Sequence, residues 1–591
     1  MRNFRKVAGM PLMLSVPAFA ILLVVFGIPL VQLLFTSFNA PNFSLAHYRA
    51  FVAESANVRI LLQTVELSVV ATTLCLAIGY PTAYLIAAAS KGVRTALIVL
   101  VFIPWLTSGL VRTYAWVAIL GDRGIVNTLL IDWKLITSPL PLVYNRFAVY
   151  IGMVHIMLPT MILPLVSSMM GVDRSLIAAA RSMGATPWAA FWRVFFPLTV
   201  PGVRSGVLLV FVICLGFYIT PAALGGLRDT MLSNLIAAQL ANSVELAPVA
   251  AIAFLLLGVA VVALLLFGID VSGTPGASQR RAGWRTRLQL AVMQGVVFGK
   301  LTEAYRARRW KAQLFQPGRA VRWVERASGF FFVALVMIYL QLPGLVVVAM
   351  SFSPGQLLQF PPPALSLRWY RAFFSDPAWT GALWTSLELA VMVTVLSTIV
   401  GTLAAFGLTR SSSRLRSILT LVILVPITLP GVVVGVVAYL CLLKLGLLGT
   451  MSGIVLAHSV GSICLVVVIV SATLAGFDRR LEQAAMSMRA GPMQTFTRVT
   501  IPLIRPGIIA GAVFAFIHSF DEVVVTSLIN RFSIYTLPLK MYENISNEID
   551  PTIAAVGSLL TLLPVLWLLA LYPTWWKSKR IARQGTAQAP T

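Results

Sequence analysis

Between Ile60 and Ala89 the chain runs for thirty residues with one charged side chain, Glu66. A hydrocarbon core about 30 Å thick is crossed by roughly 20 helical residues, so this stretch is long enough to span a bilayer. Further runs of that kind fall at 11–36, 94–120, 147–170, 203–222 and 247–269, and again at 328–351, 382–408, 416–443, 452–475, 507–529 and 551–573. They are continuous rather than alternating, which excludes barrel strands and leaves helices whose backbone bonds close internally. The expected fold is all-α and polytopic, with twelve transmembrane helices. Composition agrees: 59% of the 591 residues are hydrophobic and 11% charged, with a mean hydropathy of +0.89, against about 25% charged in soluble domains.

Charge sets the expected orientation. With a cytoplasmic N-terminus and every run crossing, 33 of the 45 Lys and Arg fall on the cytoplasmic side and 11 outside, with Arg112 inside a run. The positive-inside rule favours that arrangement and puts both termini in the cytoplasm. The net charge of +26 then reflects topology and anionic lipid, with no call for nucleic acid. Met1–Ala20 has the basic start and the small-residue triplet Ala18-Phe19-Ala20 of a signal peptide, but its apolar run continues to Phe35 and reads as a first span. Cys75, Cys214, Cys441 and Cys464 lie inside apolar runs without metal-ligand spacing and read as packing residues.

The chain is duplicated. "DRSLIAAARSMGATPWAAFWRVFFPLTVPG" at 173–202 and "DRRLEQAAMSMRAGPMQTFTRVTIPLIRPG" at 478–507 share 16 of 30 residues without a gap. Ser44-Leu45, Tyr48-Arg49-Ala50-Phe51 and Glu66-Leu67 recur as Ser366-Leu367, Tyr370-Arg371-Ala372-Phe373 and Glu388-Leu389. Six spans per copy is an even number, so the repeat is parallel. The expected domains are 1–269, a basic cytoplasmic linker at 270–327, 328–576, and a tail at 577–591. Within the linker, "LQLAVMQGVVFG" is too short to span and reads as an interfacial helix or part of a solvated tether.

Both matched stretches fall on the cytoplasmic side, between the fourth and fifth spans of each half. Each reads as two short helices around a sharp turn. In the first, Gly184 is placed to end one helix in a left-handed conformation and Thr186-Pro187 to start the next, while Pro197 and Pro201 are expected to stop it and turn the chain back to the membrane. Ala179 and Ala180, matched by Ala484 and Ala485, leave a low-relief face for a partner.

These stretches resemble the E-A-A loop of permease subunits of binding-protein-dependent ABC importers: E-A-A, three residues, G, nine residues, I-x-L-P. Ala178 stands at the Glu position of the first copy, followed by Ala179, Ala180, Gly184, Val194, Phe196 and Pro197; Gln483 stands there in the second, followed by Ala484, Ala485, Val499, Ile501 and Pro502. Arg489 replaces the turn glycine, and a left-handed Arg costs roughly 1–2 kcal/mol, so the expectation is a turn shifted to Gly491 or a helix prolonged by half a turn. "RTYAWVAILGDRGIVN" (112–127) and "SFDEVVVTSLI" (519–529) look like parts of the two permeases of the spermidine/putrescine-type system, here joined in one chain. The resemblance implies that the loops, with the matched Arg193 and Arg498, dock on two copies of a cytoplasmic ATPase, that a periplasmic solute-binding protein delivers the cargo, and that the setting is the bacterial inner membrane. The chain has no G-x-x-x-x-G-K-[ST] and no metal-spaced His cluster, so it is read as a transport subunit without cofactor or catalytic residue.

Ionised groups at mid-bilayer cost about 2.5–3.5 kcal/mol and usually face a cavity or each other. His518, Asp521 and Glu522 are expected near the middle of the eleventh span, with Glu66 and Glu388 towards the outer ends of the second and eighth. As path residues they would suit a cation such as a polyamine, with Phe217 and Tyr218 adding cation–π faces. As structural residues, Glu66 and Arg112 lie at similar depth and are expected to pair. Arg112 also leaves room for an anionic cargo such as a phosphonate. A proton-coupled twelve-helix carrier is the alternative from another class, and ferric iron a rival cargo within importers; the elbows are what a proton-coupled carrier has no need for.

Overall fold

The computed structural model describes residues 12–39, 41–226, 228–242, 245–267, 319–355, 362, 364–410, 413–530, 534–547, 551–563 and 566. The interfacial helix expected in the linker and the tail 577–591 lie outside the described residues. Among the described residues every regular element is helical. Among the described residues ten helices are long and apolar enough to cross a membrane, and two shorter apolar ones, Gly431–Leu445 and Thr552–Leu563, stand at the places of the expected ninth and twelfth spans. The protein is an all-α polytopic membrane protein. Its seventh span begins earlier than the hydropathy indicated, as part of one helix from Arg319 to Met350 that takes in the end of the basic linker.

Four expected spans are broken, the same two in each half. The third divides into Lys91–Leu106 and Gly109–Leu120, with Thr107 and Ser108 extended between them. The ninth divides into Ser413–Leu424, a short turn Pro426–Thr428, and Gly431–Leu445. Pro430 accounts for this second break: it forces Leu429 out of helical geometry, and Leu429 has φ −105° and ψ 152°. The fifth and eleventh stop at Leu215 and Phe520 and restart as Ile219–Leu224 and Val524–Ile529.

The halves exchange their first spans. Val16–Ser37 lies against Gly431–Leu445 of the second half, where Lys444 Nζ donates to Gln32 Oε1 at 2.9 Å and Cys441 contacts the Val24 carbonyl. Arg319–Met350 in turn lies against Lys91–Leu106 and Gly109–Leu120, with Gln341 Nε2 donating to the Leu100 carbonyl at 2.7 Å and Tyr339 to that of Ile151 at 2.7 Å. Trp116 and His155 pack on the Tyr339 ring at 5.5 and 5.3 Å. The two largest apolar clusters are shared between the halves: one joins Tyr114 and Met153 to Met337 and Met541, and another joins Phe26 and Leu256 to Val436, while two smaller ones, around Leu389 and Val466, lie within the second half.

Within each half the fourth and fifth spans approach closely at a glycine. A Cβ on Gly202 would collide with Ser168, and one on Gly507 with Thr473, its repeat counterpart. Overpacking a tight site costs about 1–3 kcal/mol. Gly507→Ala is therefore expected to lower the unfolding midpoint in detergent micelles, and Thr473→Ser in the same background to recover only part of the loss, whereas Thr473→Gly recovers most of it.

Candidate functional site: paired elbows and crossed helix breaks

The first elbow helix, Arg174–Ser182, starts at Asp173, whose Oδ1 accepts from the Ser175 amide at 2.9 Å. That bond holds the exposed carboxyl below its usual range. The helix ends in a left-handed turn at Gly184, φ 84°. The Gly184 amide donates to the Arg181 carbonyl at 3.1 Å and the Ala185 amide to that of Ala180 at 3.0 Å, the two bonds that define a Schellman motif.

The second elbow helix, Arg480–Ser487, ends in the same way. Arg489 itself takes the left-handed conformation, φ 65°, and both bonds recur: Arg489 to Met486 at 3.0 Å and Ala490 to Ala485 at 3.1 Å. Neither expected escape occurs, because the two bonds and the buried Ala485 fix the turn where it is. Ala180 and Ala485 point inwards, leaving Ala179 and Ala484 on the surface. The outer face is instead apolar and bulky: Met183 and Met488 are 81% and 78% exposed, beside the half-exposed Leu176 and Leu481. The identity of these side chains in both copies is visible in the sequence, but their exposure is not.

Pro197 and Pro201 do not stop the second helix. It runs from Pro187 through Leu215 as one rod, and its counterpart runs from Pro492 to Phe520. Each rod has a wide turn, Phe191–Phe195 or Phe496–Thr500, that is separated by one residue from Pro197 or Pro502. The i→i+5 bond closing that turn lets the helix pass a residue that has no amide hydrogen to give. Arg193 and Arg498 lie on these wide turns and are exposed. The elbows are fastened to the preceding spans by matched arginines: Arg174 donates to the Ala87 carbonyl at 3.2 Å and Arg479 to that of Thr409 at 2.7 Å.

The four helix breaks meet in two crossed pairs. Asp521, at the end of Pro492–Phe520, accepts through Oδ2 from the Gly109 amide at 3.2 Å, so an acid from the second half caps Gly109–Leu120 of the first. At the symmetric crossing Gly216, the counterpart of Asp521, packs directly on Pro430. Asp521 and Glu522 thus sit in a break and not within a helix. Glu522 Oε1 accepts from the Val525 amide at 2.9 Å.

Arg112 does not pair with Glu66. It is 6% exposed and interacts with Asp521, and its Nη1 and the Asp521 Oδ1 are buried without a hydrogen-bond partner among the described residues. Glu66 pairs with Arg146 at 3.0 Å, which also binds Asp229 at 2.9 Å and Gln63 at 3.0 Å. Depth along two helices leaves their facing directions open, and Arg146 begins the helix that faces Glu66. Glu388 is exposed and makes no ion pair among the described residues. Phe217 and Tyr218 lie in the break after Leu215, their carbonyls accepting from Ser233 and, at 3.0 Å, from Asn234; the Tyr218 ring packs on Tyr542 at 5.4 Å. His518 lies over Gly461, away from the acids' hydrogen bonds.

A sequence profile described as "Binding-protein-dependent transport system inner membrane component" matches residues 397–574. The spermidine/putrescine transport system permease protein PotB of Salmonella typhimurium is 34% identical over 206 residues, covering 71% of that protein and 35% of this chain. The chain belongs to the binding-protein-dependent permease family. The putrescine transport system permease protein PotI of Escherichia coli is 31% identical over 233 residues, 81% of its length and 38% of this chain. PotB of Haemophilus influenzae is 37% identical over 181 residues, of which the chain spans 63%, on 31% of its own length. A bacterial alginate ABC transporter, solved in complex with an alginate-bound periplasmic protein, has 18% identity and a TM-score of 0.38, covering 45% of this chain and 93% of that one.

For this permease the two elbow turns make a controlled comparison. A Cβ at Gly184 would meet nothing within 4 Å, so substitution there costs only backbone energy. Arg489→Gly is expected to stabilise the protein, and Gly184→Ala to destabilise it, each by about 1 kcal/mol. Thermal unfolding in detergent micelles checks this; midpoint shifts of the same sign for the two changes would contradict it.

Proposed function

We propose that the chain carries both transmembrane halves of an ATP-driven importer, passing a small polyamine-type cation received from a periplasmic binding protein. Two copies of a separate cytoplasmic ATPase dock on the elbows at 173–202 and 478–507, with both termini on the same side. Their closure pulls the elbows together, and the halves rock between inward-facing and outward-facing states. The observation that carries this reading is the duplicated elbow. Two turns of identical hydrogen bonding each present an exposed methionine and leucine, an apolar knob that a solvent-facing loop has no reason to repeat.

The cargo class rests on the names of the relatives and on the breaks. Asp521 is engaged by Gly109 and lies beside Arg112, which leaves Glu522, with the aromatic faces of Phe217 and Tyr218 at the matched break, as the group suited to a passing ammonium. The sequence carries no G-x-x-x-x-G-K-[ST], which supports assigning hydrolysis to the partner.

Met183→Glu with Met488→Glu places charge on both knobs while touching no core contact. The doubly substituted chain is expected to insert and fold but to lose affinity for the ATPase at least roughly tenfold, read by co-purification. Full retention of the ATPase, with unimpaired ATP-dependent putrescine uptake into proteoliposomes, would remove the docking role. A separate variant, Glu522→Gln, is expected to keep the ATPase bound and to cut putrescine uptake by at least roughly tenfold; unchanged uptake would take Glu522 out of the path.

A further inference from the structure

The two elbows share one backbone but are secured by different chemistry. In the second, Glu482 is buried at 8% exposure. Its carboxylate forms an ion pair with Arg410, the last residue of Pro377–Arg410, and accepts from Thr500 Oγ1 at 2.7 Å, at the close of the wide turn that leads into the eleventh span. The Arg410 guanidinium lies 5.0 Å from the Phe406 ring, and Phe406 packs on Phe496 at 4.6 Å. One carboxylate therefore bonds simultaneously to the elbow's two neighbours, the span before it and the rod after it. In the first elbow the three matching positions are Ile177, Ala88 and Phe195, all without charge. There the joint is a cluster of rings, Tyr84 against Phe191 and Phe195 at 5.6 and 5.4 Å, with Ile177 packed beside the core.

We propose that Glu482 is a positioning residue that makes the second elbow the stiff lever of the pair. Ring contacts tolerate sliding because dispersion has little directional preference. A buried carboxylate held by a guanidinium and a hydroxyl does not slide: displacing any one of the three leaves a desolvated charge or donor unmatched. Movement imposed on Arg480–Ser487 is thus delivered to the eighth and eleventh spans together. The eleventh span ends at Asp521, the residue that caps Gly109–Leu120 across the halves, so the stiff elbow is also the one connected to the charged crossing. The first elbow, by contrast, leads to the apolar crossing of Gly216 and Pro430.

This inference rests on the elbows as docking points for an ATPase, and its first test does not need one. Hydrogen exchange of the full-length chain in detergent is expected to show amides 483–490 at least roughly tenfold slower than the matched amides 178–185, and Glu482→Gln is expected to remove that difference. Equal protection in the unsubstituted chain, or no change in Glu482→Gln, overturns the proposal even if transport proves to be as described above. The second test transplants the first joint into the second elbow by Glu482→Ile, Arg410→Ala and Thr500→Phe, leaving no unpaired charge. If the carboxylate only glues the fold, this apolar joint restores everything. If it positions the elbow, the triple variant retains the ATPase in co-purification, yet the stimulation of its ATP hydrolysis by binding protein and putrescine falls at least roughly tenfold. Stimulation at the unsubstituted level in the triple variant overturns the proposal, whereas failure of the unsubstituted chain to retain any ATPase would count against the docking function and leave the exchange result to decide the stiffness.

Discussion

A helix that stops inside a bilayer exposes amides and carbonyls to a medium that offers them no partner. This chain stops four helices there, and the rest of its architecture follows from how those ends are satisfied. The Gly109 amide is met by Asp521, and the carbonyls of Phe217 and Tyr218 by Ser233 and Asn234 on the helix Leu232–Asn242, which folds back for the purpose. Hydroxyls complete the arrangement, Thr64 accepting from the Leu232 amide at 2.9 Å and Ser386 from the Leu537 amide at 2.7 Å, at matched places in the two copies. Because Asp521 meets Gly109 and Gly216 meets Pro430, the breaks also join the two halves to each other.

Duplication supplied two copies of each device, and the copies have diverged chemically while keeping their geometry. One crossing is an acid beside a helix start, the other a glycine on a proline. One ion-pair network ties Glu66, Arg146, Asp229 and Gln63 together, while Glu388 in the second copy is exposed and without an ion pair among the described residues. One elbow turn has a glycine and the other an arginine at positive φ, yet the hydrogen bonds are the same to within 0.1 Å. Backbone geometry is thus held by the pattern of bonds, and side-chain identity is free to vary around it.

Much of this is legible in the sequence, for identifiable reasons. Apolar length marks most spans to within a few residues, since desolvating a charge is costly enough to make their borders sharp. The repeat and the elbow positions are plain because sixteen identities survive. Breaks are less visible: a run such as 94–120 stays apolar through Thr107 and Ser108, and hydropathy does not register a change of two dihedrals. Pro197 and Pro201 misled in the other direction, because a wide turn one residue upstream absorbs the missing amide and no residue type announces it. The partner of Glu66 is not legible because depth along a helix says nothing about azimuth, and the role of Glu482 is hidden because its partners lie 72 and 18 positions away.

The exchange of first spans bears on how such a chain is made. His155 is synthesised 185 residues before Leu340, whose carbonyl it bonds, and until then it and Trp116 lie against a surface with no cover. The leading helix Val16–Ser37 waits longer still, for the arrival of Gly431–Leu445. The surfaces of the first half that the second half covers are therefore made well before their cover. Two separate genes would have to find each other in that condition, at matched amounts. A single reading frame ensures that every copy of the first half is followed by a second, so that each surface left bare at the start, on Tyr339's side and on Lys444's side alike, has its cover on the same polypeptide.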